Sequence, residues 1–321
     1  MIHVAVLDDY QCRASSYADW GSLGSEVAVQ FFHRPMRGAQ LTQALADFEV
    51  VVAMRERTAF SRAVISELPQ LRLLITTGMR NAAVDVDCLR ERGITFCGTE
   101  GTGAPRPAGV PTTAEVAWAL ILAVAKRVTI EDRALRSGQW QLGIPAVLSG
   151  ATLGLAGLGN LGATMVAPAR AFGMDVVAWS ENLSDERARS LGVARVTKDE
   201  LLRGADFLSI HLVLSERTRG LFGSDELARM KPTAALINTS RGPLVDEGAL
   251  VAALREATIA AAGLDVYDEE PLPAGHPLTT LDNVVLLPHL GYVSDPGFRH
   301  MYTQVVQDVA AFCDGAPIRV I

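Results

Sequence analysis

Apolar residues fall in short blocks, and the stretches between them carry helical spacing. In the first hundred residues, the blocks at 2–7, 50–54, 71–76 and 94–96 read as buried strands. The segments 40–48, 61–68 and 86–92 have the 3.6-residue spacing of short helices; Ser61 opens the second and Gly93 closes the third. Strands joined by helices imply a parallel sheet with right-handed crossovers. The pattern breaks at 97–111, where four Gly and three Pro predict a loop and a crossing between domains. An apolar helix is expected from Pro111 to Val128, with Thr112 or Thr113 as its cap and Glu115 in its first turn. Segment 129–150, which contains Trp140, reads as an irregular arm. A second series begins at Ala151, with strands at 152–156, 175–179, 207–210, 234–237, 259–264 and 284–287. Helices fit at 161–172, 185–191, 198–202, 224–229 and 247–255. Six strands with helices between them predict a doubly wound sheet. An amphipathic helix at 297–312 is long enough to return to the first domain. The expected organisation is α/β with two doubly wound parallel-sheet domains, 1–100 plus 291–321 and 101–290.

Composition narrows the class. The 321 residues are 49% hydrophobic, enough for two sizeable cores. A net charge of −7 argues against nucleic acid or an anionic membrane as partner and leaves a small molecule. The cysteines, Cys12, Cys88, Cys97 and Cys313, form no CxxC pair and no metal-ligand spacing, so free thiols in a reducing cytoplasm are expected. The N-terminal MIHVAVLDDY reads as a strand rather than a targeting leader, and the apolar run 116–125 is too short to span a bilayer.

The first chemical motif is Gly157-Leu-Gly159-Asn160-Leu161-Gly162. A lone GxGxxG is weak evidence, but this one leaves an apolar strand and enters an apolar helix, the context in which it binds a dinucleotide. Gly157 permits the tight turn, Gly159 lets the backbone approach a pyrophosphate, and Gly162 lets helix and strand pack closely. The bland alternative is a glycine turn with no ligand. The following strand ends at Ser180-Glu181-Asn182. Ser180 stands where an Asp usually holds the adenosine ribose, and Glu181 lies one residue beyond. A carboxylate there favours NAD, whereas Ser and Asn tolerate either cofactor and Arg187 or Arg189 offers a cation to a 2′-phosphate. NAD is the expected cofactor, with NADP left open.

Three later segments carry polar residues at strand ends: Asn238-Thr239-Ser240-Arg241-Gly242, Asp265-Val-Tyr-Asp-Glu-Glu270-Pro271 and Pro288-His289-Leu-Gly291. Ligands of open α/β sheets bind beyond the carboxyl ends of the strands, so an Arg, a Glu and a His are expected to converge there. Each has an ordinary explanation when taken alone: a solvated arginine in a turn, an acidic surface run, a capping histidine.

In this order, GLGNLG, NTSRGPLVDE, LDVYDEEP and LPHLG resemble the D-isomer-specific 2-hydroxyacid dehydrogenase family over nearly the whole chain. The resemblance implies a Rossmann dinucleotide-binding domain and a smaller flavodoxin-like substrate domain. It implies hydride transfer between NAD(P)H and a small 2-oxo/2-hydroxy acid, in a homodimer built through the helix at 112–128 and the arm after it. Matched motif by motif, Arg241 resembles the substrate-orienting arginine, Glu270 its acid partner and His289 the acid/base. Arg80 and Asn81 resemble the residues whose amides hold the substrate carboxylate, and Arg55 resembles another cleft residue. Thr239 and Gly291 fall at the cofactor site. Asp265 either contacts the nicotinamide or simply ends a strand, and His211 either borders the cofactor or packs.

These residue types suit the chemistry. Carbonyl reduction needs a proton donor that is charged near neutrality, which His can be, and a neighbouring carboxylate favours the imidazolium. A guanidinium polarises the carbonyl and binds a carboxylate through its fork of donors. The chain departs from the family pattern at several points. Arg80 replaces a common Gly and narrows the pocket or adds a cation. Val213 replaces a common Pro. The loop at 98–110 looks long, and Tyr292 stands where an aromatic closes the pocket. Two rivals remain: a non-catalytic NAD-sensing corepressor on the same fold, and a formate dehydrogenase, against which Glu270 speaks.

Overall fold

The computed structural model describes residues 1–101 and 111–321. Most of the long loop expected at 98–110 therefore lies outside the described residues, although Gly98 itself ends a strand. The chain forms two compact units, Met1–Ala108 with Ser294–Ile321, and Gly109–Val293.

The first unit is built on β1 (Ile2–Val6), β2 (Val27–Phe31), β3 (Val50–Ala53), β4 (Leu73–Thr76) and β5 (Thr95–Gly98). They lie in the order β2-β1-β3-β4-β5, all parallel. This is the flavodoxin-like order. Strands β3 and β4 are buried along their whole length, as parallel strands covered on both faces must be. Strand β2 carries no clear signal in the apolar pattern. It is an edge strand and only half-buried, so no run of core residues marks it. Ser61 caps the helix Arg62–Ser66 and Asp85 caps Val86–Glu91. The C-terminal helix Asp295–Cys313 opens on a Ser294 cap and belongs to this unit. The chain end then pairs with the free edge of β5: Ile321 N–H donates to Phe96 O at 2.8 Å and Gly98 N–H to Arg319 O at 3.0 Å.

The second unit holds β6 (Thr152–Ala156), β7 (Asp175–Trp179), β8 (Ala194–Arg195), β9 (Phe207–Ile210), β10 (Ala235–Asn238), β11 (Ala261–Leu264) and β12 (Val284–Leu286). The order is β12-β11-β10-β9-β6-β7-β8, all parallel. This is the Rossmann order with one added strand, and it reverses between β6 and β9. The sheet has seven strands where the pattern predicts six; β8 is only two exposed residues. Both faces are covered. Ala117, Leu120 and Ile121 of the helix Thr112–Ala125 belong to one core, and Leu201, Phe222, Leu250 and Leu254 to the other.

Two expected helices are corrected. The helix entered at Thr112 stops at Ala125 because Arg127 takes a left-handed φ of 55°. A second helix, Val128–Arg136, follows where an irregular arm is expected, supported by the i,i+4 ion pairs Arg127–Glu131 and Asp132–Arg136. The single helix predicted over 161–172 is two pieces, Asn160–Thr164 and Val166–Ala171. Pro168 has no N–H to give the Thr164 carbonyl, which accounts for the break. Among the described residues no helix is long and apolar enough to cross a membrane.

Candidate functional site

The turn after β6 shows why its glycines are needed. Gly157 has φ +104°, and a Cβ there would lie 2.4 Å from the His211 carbonyl oxygen. A Cβ at Gly162 would lie 2.0 Å from the Gly157 carbonyl oxygen. Both positions are closed to any side chain by backbone. Gly159 differs: nothing lies within 4 Å of where its Cβ would stand. Two glycines thus serve packing, and the third keeps open space beside the helix Asn160–Thr164, the arrangement a pyrophosphate needs.

The loop sits where the sheet order reverses. Gly157 N–H donates to Trp179 O at 2.8 Å, which ties the loop to the end of β7 next to Ser180. Ser180 is half-buried and Glu181 exposed. Arg187 Nε donates to the Leu158 carbonyl at 3.2 Å, a contact that sequence spacing does not announce. His211, at the end of β9, bonds Ser209 Oγ through Nε2 at 2.9 Å. Its Nδ1 is buried with no protein partner, and so is Oγ1 of Thr239 after β10. Burial holds the His211 imidazole down at about 4. The orphaned His211 Nδ1 beside the open glycine turn, with the orphaned Thr239 Oγ1 after β10, fits a dinucleotide.

The ends of β10, β11 and β12 build the second half of the site. After β10, Asn238 folds back: its Nδ2 donates to Arg241 O at 2.9 Å and its Oδ1 accepts from Ser240 N–H at 3.0 Å. Ser240 Oγ donates to Ile210 O at 2.7 Å. Arg241 Nη1 donates to Ser240 O at 2.8 Å. The next residue, Gly242, lies so close to the Tyr267 backbone that a Cβ would stand 2.1 Å from its carbonyl carbon. The Arg241 turn is thereby packed on the segment that carries Glu270.

Glu270 and His289 form a hydrogen-bonded pair, His289 Nδ1 to Glu270 Oε2 at 2.5 Å. The other carboxylate oxygen, Oε1, accepts from Tyr267 N–H at 3.0 Å, which fixes the plane of the acid. Tyr267 OH in turn donates to Leu287 O at 2.8 Å, and burial pushes its phenol above the usual tyrosine range. Glu270 precedes a cis Pro271. His289 itself has φ 54°, a left-handed conformation rare for a non-glycine residue. Asp265 accounts for that turn. It is fully buried, and its two oxygens accept from Leu290 N–H at 2.7 Å and Gly291 N–H at 2.8 Å. Burial raises its carboxyl above the ordinary range against the pull of those two donors. Thr113 Oγ1 donates to Gly291 O at 2.6 Å and completes the clamp. The Tyr292 ring stands edge-on to His289, with centroids 5.5 Å apart.

Sequence reasoning missed the supporting shell of Asn238, Ser240, Tyr267 and Thr113. Only Asn238, two residues before the backbone it binds, carries a local signal, an Asx turn.

In the first unit, Arg55 follows β3 in a left-handed conformation, φ 49°. Its N–H donates to Thr77 Oγ1 at 3.1 Å and its carbonyl accepts from Asn81 Nδ2 at 2.6 Å. Asn81 is buried and also reaches Thr76 Oγ1 at 3.0 Å, so its side chain joins the ends of β3 and β4. Gly78, with φ +125°, shapes the turn before Arg80, and the Arg80 side chain is exposed.

Known proteins match this chain closely. The family model for the D-isomer specific 2-hydroxyacid dehydrogenase NAD-binding domain matches residues 118–291. A glyoxylate reductase of Aeropyrum pernix is 40% identical over 78% of this chain and 76% of its own. A D-3-phosphoglycerate dehydrogenase of Methanocaldococcus jannaschii is 35% identical over 84% of this chain, which spans about half (51%) of that relative. The solved phosphoglycerate oxidoreductase of Vibrio cholerae is 34% identical, with a TM-score of 0.89 over 98% of this chain and 100% of that one. With two sheets in the flavodoxin-like and Rossmann orders and a glycine turn shaped for a dinucleotide, the chain belongs to the D-isomer specific 2-hydroxyacid dehydrogenases, enzymes that use NAD.

Proposed function

We propose that the protein reduces a small 2-oxo acid to its D-2-hydroxy acid, and runs the reverse oxidation, with His289 as acid/base, Glu270 as its orienting partner and Arg241 as substrate anchor. The observation that carries this reading is the 2.5 Å bond between His289 Nδ1 and Glu270 Oε2. It commits one ring nitrogen to the carboxylate and leaves Nε2 as the atom that exchanges a proton with substrate.

The bound nicotinamide supplies or accepts the hydride at the substrate's C2. In the reductive direction His289 delivers its Nε2 proton to the carbonyl oxygen as negative charge builds there, and Glu270 stabilises the imidazolium before transfer. The Arg241 guanidinium polarises the carbonyl and pairs with the carboxylate; a fixed fork of donors serves this better than a lysine. The backbone amides of Arg80 and Asn81 and the Arg55 side chain are the further substrate contacts in this reading. Asp265 acts through the His289 turn rather than on a ligand. Names of relatives include glyoxylate reductase and D-3-phosphoglycerate dehydrogenase, so glyoxylate, hydroxypyruvate and bulkier 2-oxo acids are the substrates to try.

The working form in this proposal is a homodimer. Trp140, Ile144 and Val147 expose 75%, 96% and 70% of their surfaces on the segment after the helix Val128–Arg136, an apolar stretch suited to cover by a second copy.

The test is a panel of 2-oxo acids assayed by the loss of NADH and NADPH absorbance. Turnover with at least one of them supports the reading. No turnover with any, in a protein that binds the dinucleotide, would overturn it.

A further inference from the structure

We propose that the dinucleotide site carries a receptor for a 2′-phosphate, formed by Arg187 and Ser180, so that the protein takes NADP(H) as well as NAD(H) and binds the phosphorylated cofactor more tightly. The inference stands apart from the roles given to His289, Glu270 and Arg241.

In a sheet of this order the end of the second strand meets the adenosine ribose. An acid there accepts from the 2′-hydroxyl and repels a 2′-phosphate, whereas an arginine nearby accommodates it. Strand β7 ends at Trp179 and is followed by Ser180, which brings no charge. Two bonds place the receptor. Gly157 N–H holds the Trp179 carbonyl at 2.8 Å, and the carbonyl of the next residue, Leu158, accepts from Arg187 Nε at 3.2 Å. Trp179, which directly precedes Ser180, and the Arg187 guanidinium are therefore tied to consecutive residues of one glycine turn. With Nε used on Leu158, the two Nη groups bond no other described residue and form a fork matched to phosphate oxygens. Ser184 fixes the backbone from which Arg187 projects, its Oγ accepting from Arg187 N–H at 3.1 Å.

The acids nearby do not cancel this cation. Asp185 Oδ1 pairs with Arg195 Nη1 at 2.9 Å, and that bond, with Arg189 adding to it, holds its carboxyl below the usual range. Glu181 and Glu186 are exposed, where water and salt screen them. A carboxylate at 180 itself would have no such relief.

Equilibrium binding of 2′,5′-ADP and 5′-AMP isolates the 2′-phosphate from the rest of the cofactor and from catalysis. The wild-type protein should bind 2′,5′-ADP about ten- to a hundredfold more tightly, the range of a charge-assisted hydrogen bond. Arg187→Gln should bring that ratio toward one, and Arg187→Lys should restore part of it. Ser180→Asp should also lower the ratio, and it decides the matter if the Gln variant does not fold. A wild-type ratio of one or less overturns the proposal, as does a wild-type ratio in Arg187→Gln. A wild-type ratio in Ser180→Asp removes Ser180 from the receptor.

Discussion

Acidification should cost the protein stability through His211. Burial holds the folded-state imidazole at about 4, against an ordinary value of 6.5. The unfolded chain therefore takes up its proton first. The stabilisation is complete above about 6.5, declines as the pH falls, and is lost below about 4. At 1.36 kcal/mol per pH unit the full effect is about 3 kcal/mol, and by pH 4.5 about 2–3 kcal/mol is gone. That is a large share of a typical domain's stability of about 5–15 kcal/mol. The structural cause is specific. An imidazolium must donate from both nitrogens, but Nδ1 is sealed without a protein acceptor and Nε2 has only Ser209 Oγ. The assay is urea unfolding of the wild type and His211→Gln from pH 7.5 to 4.5. Groups common to both proteins cancel in the difference. Among them is Asp308, pushed up to about 6 by burial, which works in the opposite sense: the folded chain holds that proton first, so its contribution improves as the pH falls from 6 toward 3.8. The wild type should lose about 2–3 kcal/mol more than the variant over this range. Because the His211 carbonyl packs on Gly157, NAD affinity should weaken over the same interval. Parallel stability curves would refute the reasoning.

Four further outcomes are expected. Gly157→Ala should destabilise the fold by at least about 2 kcal/mol and abolish NAD binding, since the new Cβ meets the His211 carbonyl at 2.4 Å and φ is +104°; a wild-type melting temperature and NAD titration would contradict this. His289→Ala should lower kcat on the best 2-oxo acid by about two to four decades, and unchanged turnover would remove it from the chemistry. Asp265→Asn turns a donor toward Leu290 or Gly291 N–H and should cost about 2–3 kcal/mol together with activity; urea unfolding and kcat check both, and an unaltered midpoint would deny the clamp. Trp140→Glu combined with Ile144→Glu should convert a dimer to a monomer in sedimentation equilibrium, and a monomeric wild type would end the dimer proposal.

The two sheets were legible because strands β3, β4, β9 and β10 are buried from end to end and appear in the sequence as mainly apolar runs, interrupted in β9 by Ser209 and closed in β4 and β10 by Thr76 and Asn238. Strands β2 and β8 were not, because they lie at sheet edges, where one partner suffices and exposed residues are tolerated. The helix Val128–Arg136 escaped for a related reason. Only Ala134 of it is buried and its mean composition is polar, so it carries no block of core residues; the i,i+4 pairs Arg127–Glu131 and Asp132–Arg136 support it instead.

The candidate site shows the same division more sharply. Gly157, Arg241, Glu270 and His289 could be picked out because their chemistry lies within short motifs. What aims them could not. Asp265, directly after β11, stood out as a candidate but its role did not, because its partners, Leu290 and Gly291, lie on an irregular segment beyond β12 and offer it only backbone N–H groups. Thr113 reaches Gly291 from a helix entrance far back in the chain, where a threonine also reads as a simple cap. Backbone groups are the same at every position, so no residue pattern can say which one a carboxylate will find; only the fold brings them together. The left-handed turn at His289 depends on that meeting. A change that spares every motif residue but releases the Asp265 clamp should therefore disable the His289–Glu270 pair as surely as a change to His289 itself.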